Sequence, residues 1–126
     1  NGNNPILFGN LGELYHLYLK NYAASEVNYK KAISLGPNMI VFYRDLHELY
    51  KFSYKTETSA ATDILKEGIA RNPEAIDLMA LLAQYYGEKR DAVSARAYYE
   101  KAAAEARRQG NETLALQIES DLQRLK

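Results

Sequence analysis

Large apolar side chains return every three or four positions along most of this 126-residue chain. Leu11, Leu14, Tyr15 and Tyr18 follow an i, i+3, i+4, i+7 pattern, and so do Leu46, Leu49 and Tyr50, extended less cleanly by Phe52 and Tyr54. Such spacing gathers apolar groups on one face of an α-helix, and no segment has the alternation or β-branched richness of a strand. Breakers separate the periodic stretches: Asn4-Pro5, Gly36-Pro37-Asn38 and Arg71-Asn72-Pro73 each pair an asparagine suited to capping with a proline suited to a first helical turn. Helices are predicted near 5–20, 23–35, 38–54, 59–71, 74–88 and 91–109. A seventh, near 112–125 after Gly110-Asn111, carries Leu114, Ile118, Leu122 and Leu125 in one stripe. Gln117, Glu119, Asp121 and Arg124 cover its other sides, as suits a helix that closes the end of a stack.

The stretches also echo one another at intervals of about 35 residues. Phe8, Leu11, Gly12, Tyr15, Ser25, Tyr29, Ala32 and Pro37 are followed by Tyr43, Leu46, His47, Tyr50, Ala61, Leu65, Gly68 and Pro73. Met79, Leu82, Ala83, Tyr86, Ala95, Tyr99 and Ala102 make the third pass. A repeat of this length is the mark of stacked supersecondary units. These residues resemble the tetratricopeptide repeat, whose pattern is W-x2-L-G-x2-Y, then A-x3-F, then P, over about 34 residues. The resemblance implies a single all-α domain, residues 1–126, built as a right-handed superhelical stack of antiparallel helix pairs with about seven helices. Its repeats would span about 5–38, 39–74 and 75–109, and its capping helix about 111–126.

Small residues at Gly12, Ala83, Ser25, Ala61, Ala95, Ala32, Gly68 and Ala102 would let helix backbones approach. Leu11, Leu46, Leu82, Tyr15, Tyr50, Tyr86, Tyr29, Leu65 and Tyr99 would fill the space beside them. Three departures stand out. The third repeat has the family spacing of nine residues from Tyr86 to Ala95, whereas Tyr15 to Ser25 is ten and Tyr50 to Ala61 is eleven, so two inter-helix turns are stretched. His47 occupies a position that normally takes Gly or Ala. Arg107 stands where a third Pro would fall, which lets the sixth helix continue toward Gln109.

Composition narrows the chemistry. There is no cysteine, which removes disulfides, thiolate catalysis and sulfur-ligated zinc. Sixteen Lys and Arg balance sixteen Asp and Glu, six of each in residues 1–63 and ten of each in 64–126, so neither half has the basic field of a nucleic-acid binder. No apolar run approaches the roughly 20 residues of a membrane span. A soluble domain is expected. Because the chain begins at Asn1 rather than Met, it is expected to be processed or excised from something longer, lying on the cytoplasmic or extracytoplasmic side of any anchored whole.

No metal or catalytic motif is present: His16 and His47 lie in different passes, and there is no H-E-x-x-H, phosphate loop or nucleophile elbow. No enzyme activity and no cofactor are expected. The resemblance implies instead a scaffold whose first helices line a concave groove that binds a peptide or protein segment. The face it assigns is Ile6, Gly9, Glu13 and His16; Val41, Arg44, Glu48 and Lys51; Asp77, Ala80, Gln84 and Gly87. The polar members, Glu13, His16, Arg44, Glu48, Lys51, Asp77 and Gln84, are the candidate binding residues. Family members that clamp a C-terminal carboxylate place Lys and Asn where this chain has Gly9 and Glu13, so that subtype is disfavoured. Tyr18, Tyr22, Tyr43, Tyr54, Tyr85 and Tyr98 are candidates for an exposed aromatic patch. Self-association through such a patch or the C-terminal stripe, or a role as the docking end of a longer membrane-anchored or enzymatic protein, are the alternatives.

Overall fold

A computed structural model describes residues 3–125, and Lys126, the last residue expected in the capping helix, lies outside them. The chain divides into two compact units, Asn1–Asn72 and Pro73–Lys126. In the first, α1 (Pro5–Glu13) runs into a π-helical turn (Leu14–Tyr18), followed by α2 (Tyr22–Leu35), α3 (Ile40–Phe52) and α4 (Ala60–Arg71). The second holds α5 (Ile76–Glu88), α6 (Ala92–Arg108) and α7 (Glu112–Gln123). Within each unit the helices pack antiparallel in chain order, and the described residues contain no strand.

Three of the turns are built alike. Lys20, Arg90 and Gly110 adopt φ of 54°, 64° and 80°, the left-handed conformation that ends a helix. The next residue caps the following helix: Asn21, Asp91 and Asn111 each accept, through a side-chain oxygen, the backbone N–H of Ala24, Ser94 and Leu114 at 3.1 Å. Each cap's own N–H reaches back to a carbonyl, that of Tyr15 (2.9 Å), Tyr86 (2.9 Å) or Ala106 (2.8 Å).

The stretched passes keep or abandon that turn for physical reasons. In the first, the extra residue is taken up by the π-helical turn, where the Leu19 N–H bonds the Leu14 carbonyl five residues back at 3.0 Å. The predicted helix 5–20 is thus continuous but locally wider. In the second, α3 ends at Phe52 rather than 54, and residues 53–59 form a loop. There the Tyr54 N–H bonds the Leu49 carbonyl (2.9 Å), and Lys55 sits at φ 59°.

All eight small positions of the repeat are buried. At the α1–α2 crossing the Ser25 hydroxyl donates to the Gly12 carbonyl (2.7 Å), and a Cβ on Gly12 would stand 2.6 Å from Cδ1 of Tyr29. His47, in the position of Gly12 one pass later, is wholly buried, and its Nδ1 donates to the Ala61 carbonyl at 2.8 Å. Of the large positions, Tyr29, Leu46, Tyr50, Leu65 and Leu82 are buried, whereas Leu11, Tyr15, Tyr86 and Tyr99 are half-buried.

Two candidates for an exposed tyrosine patch belong to the core instead. Tyr43 is fully buried with its hydroxyl donating to the Pro37 carbonyl (2.7 Å), and Tyr85 is buried beneath the ammonium of Lys89. Tyr18, in the π-helical turn, is exposed, as are Leu14 of the same turn and Leu7 of α1.

A latch recurs at the repeat interval. The side-chain amide of Asn72, at the end of α4, donates to the Pro37 carbonyl ahead of α3 (3.0 Å). Gln109, at the end of α6, donates likewise to the Glu74 carbonyl ahead of α5 (3.0 Å), again 35 residues back. Each latch ties the exit of a helix pair to its entrance.

The C-terminal stripe turns inward. Ile118 and Ala115 are buried and Leu114, Leu122 and Leu125 half-buried, with Leu125 against Gly87 of α5. Arg107 fixes α7 on α6: its guanidinium donates to both Glu119 (2.6 and 2.8 Å) and Glu112 (3.0 to 3.2 Å).

Candidate functional site

α1 and α3 lie in the first unit and present Glu13, Arg44 and Glu48 to solvent, while His16 and Lys51 are half-buried. Asp77 and Gln84 are exposed on α5 of the second unit. Two members of the expected groove face do not line it as exposed groups. Gly9 is buried beneath the ring of Phe42, and Gly87 is covered in part by Leu125. In both cases the missing Cβ serves close packing.

The nominated side chains differ in how they are engaged. His16 Nε2 is 3.0 Å from the Ser53 hydroxyl, and its ring meets Tyr22 edge-on with centroids 6.0 Å apart. Partial burial lowers its pKa, an effect augmented by Lys20 and opposed by Glu48. Lys51 lies 4.9 Å over the ring of Phe52, which is itself exposed. Among the described residues, the side chains of Glu13, Arg44, Glu48, Asp77 and Gln84 make no hydrogen bond or ion pair.

Several charges elsewhere are paired. Glu26 of α2 accepts from the Tyr50 hydroxyl (2.5 Å) and from Lys55 (2.9 Å), with Lys30 at 3.7 Å. Burial alone would raise its carboxyl, but the two hydrogen bonds and the lysine charges outweigh it and hold it below the usual carboxylate range. Arg71 pairs with Glu67, Arg108 with Glu105 and Arg124 with Asp121.

Two titratable residues outside the expected face are shifted by burial and by its charges. Asp45 stands three residues before Glu48 on the same side of α3, and its carboxyl is pushed up to about 6. Burial is the first cause, and the charges of Glu48 and Glu13 outweigh Arg44 in adding to it. Tyr29, on α2, is 2% exposed. Its ring lies against Gly12, and its phenol is raised first by burial and then by Asp45, Glu13 and Glu48. Its hydroxyl makes no hydrogen bond among the described residues. The i, i+3 spacing of Asp45 and Glu48 was visible in the sequence. Tyr29 was hidden by its role as a packing residue.

This face offers charge and hydrogen bonding. Among the described residues, no group of three metal-ligating side chains converges, and no helix is long and apolar enough to cross a membrane. No protein-family model matches the chain, and no curated protein matches it significantly.

Proposed function

We propose that this protein is a scaffold of the tetratricopeptide-repeat type that binds a partner polypeptide on the exposed faces of its repeat-opening helices, and that it carries no catalysis. One observation carries this reading: Glu13, Arg44, Glu48 and Asp77, on α1, α3 and α5, are exposed to solvent and mixed in sign. Distributed, mixed-sign groups along helix faces suit an extended or helical peptide rather than a small molecule in a deep pocket. The buried small positions, the shared turn design and the latches 35 residues apart support the repeat assignment on which the reading rests.

Selection of a random displayed-peptide library against the intact chain tests it. Peptides that enrich should change affinity by more than about tenfold when Arg44→Glu and Lys51→Glu are combined, with the thermal transition unmoved. Unchanged affinity would take the site off this face.

The exposed apolar side chains of Leu7 on α1 and of Leu14 and Tyr18 in the π-helical turn support a second reading, self-association. Light scattering over a concentration range checks it: a Leu14→Glu variant should abolish any concentration-dependent mass, and a monomer throughout would end it.

A further inference from the structure

Leu17, Tyr18 and Leu19 are consecutive in the chain, and they are exposed by 50, 74 and 58%. Successive residues of a helix point about 100° apart, so the three ring the end of the first helix instead of sharing one face. The end of α3 adjoins them. His16, next to Leu17, reaches the Ser53 hydroxyl at 3.0 Å, and the rings of Tyr22 and Tyr54 lie 6.5 Å apart, which brings Phe52, 67% exposed, to the same end of the unit. Backbone groups at this end are already bonded. The Leu14 carbonyl accepts the Leu19 N–H (3.0 Å), that of Tyr15 the Asn21 N–H (2.9 Å), and that of Leu17 the Lys20 ammonium (3.2 Å). An end built in this way can leave water without stranding those carbonyls.

Area and charge decide what covers it. Side chains of this size hold about 200 Å² each, so Leu17, Tyr18, Leu19 and Phe52 expose roughly 500 Å², short of the about 800 Å² that each partner buries in a stable protein interface. A helix docked from one side would also leave part of the ring in water. Lysines stand on the apolar groups themselves: Lys20 is bonded to the Leu17 carbonyl, Lys51 lies 4.9 Å over Phe52, and Lys55 lies 5.3 Å over Tyr54. Glu26, which Lys55 shares with Lys30, is only 12% exposed. Glu48, one turn before Phe52, and Glu57, in the loop after it, are the exposed acids nearby, so four lysines meet three carboxylates. We propose that this end of the first unit docks on a membrane surface containing anionic lipid, with the four apolar side chains entering the boundary between headgroups and acyl chains. The lysines lay their stems along those side chains and carry their charges to the lipid phosphates, while the Tyr18 ring sits at the boundary with its hydroxyl in water. This docking stands apart from the scaffold reading.

The chain has no tryptophan, so Tyr18→Trp installs a single reporter at this end. That variant of the intact chain is titrated with vesicles of phosphatidylcholine and phosphatidylserine in equal parts, and with vesicles of phosphatidylcholine alone. Emission should move to the blue saturably on the mixed vesicles, with an affinity about fivefold above that for phosphatidylcholine. In co-sedimentation of the otherwise native chain, Leu17→Glu combined with Leu19→Glu should weaken binding more than about tenfold, and Lys20→Glu about fivefold on the mixed vesicles only. All three positions are exposed, so the thermal transition should stay in place. Should the paired variant fail to fold, Phe52→Ser reads the same loss. No binding to either vesicle, equal affinity for both, or binding indifferent to these substitutions would each overturn the proposal. So would a concentration-dependent mass, or capture of a library peptide, that Leu17→Glu and Leu19→Glu abolish while vesicles go unbound, since this end would then belong to a second copy or to a partner polypeptide.

Discussion

His47 Nδ1 lies 2.8 Å from the carbonyl oxygen of Ala61, across the crossing of α3 and α4. The equivalent crossing of α1 and α2 carries a hydrogen bond in the opposite sense, from the Ser25 hydroxyl to the Gly12 carbonyl. One link is donated by the second helix of a pair and the other by the first. The unusual histidine therefore fills its crossing and bonds across it. Because the carbonyl can only accept, the proton must sit on Nδ1.

Replacement of His47 by Ala should lower stability by about 3 kcal/mol in urea unfolding, through a cavity and a lost hydrogen bond. Small residues serve this position in the other two passes, so a cost below about 1 kcal/mol would show that α3 and α4 can close onto an alanine as α5 and α6 do onto Ala83.

Asp45→Asn should stabilise the protein at neutral pH. The folded carboxyl titrates at about 6, above its ordinary value of 3.8, so the native state holds a proton that the unfolded chain releases between those values. Stability is therefore lost as pH rises from about 4 to 6, and the penalty is complete above that. With screening at a half-exposed site, a gain of about 1 kcal/mol is expected at pH 7, vanishing near pH 4. Parallel unfolding curves at the two pH values check the sign, and a gain equal at both would refute the assignment.

Tyr50 couples α3 to α2 through Glu26. Tyr50→Ala should cost roughly 3 to 5 kcal/mol, as large aromatic truncations do, and Tyr50→Phe about 1.5 kcal/mol. Glu26 is held below its ordinary pKa, so its contribution is present above that value and lost as pH falls through the folded one. In Tyr50→Phe the acid limb of the stability profile should be shallower.

Deletion of exposed Leu17 should be tolerated. Removing one residue from the π-helical turn returns the spacing from Tyr15 to the cap at Asn21 to that between Tyr86 and Asp91. A loss under about 1 kcal/mol is expected, whereas deleting Leu82 from α5 should abolish folding, since it rotates every later core residue off its face. Circular dichroism and thermal melts distinguish the two.

Much of the fold was legible because its determinants are local. The eight small residues lie in the core where helices cross closely, as Gly12 does against the Tyr29 ring, and Asn4, Asn21, Asp91 and Asn111 cap helices through side chains suited to that task. What the chain concealed depends on partners distant in sequence. The count from Tyr15 to Ser25 revealed an extra residue, but only hydrogen bonding decides whether it widens a helix, as here, or opens a loop, as after Phe52. Tyr43 and Tyr85 read as ambiguous because an aromatic ring suits interior and surface alike. In the candidate site, Glu13 and Glu48 follow from helix-face spacing. The elevated Asp45 and the Tyr29 hydroxyl arise only where three helices meet.

The latches from Asn72 and Gln109 bear on how the molecule comes to be folded. Each closes a loop of only 35 residues, and the remaining cross-helix bonds of each unit span similar or shorter separations. A chain whose native contacts are this close in sequence forfeits little entropy in making them. It should therefore reach its structure quickly, pair by pair, and each latch that forms shortens the search left to the next.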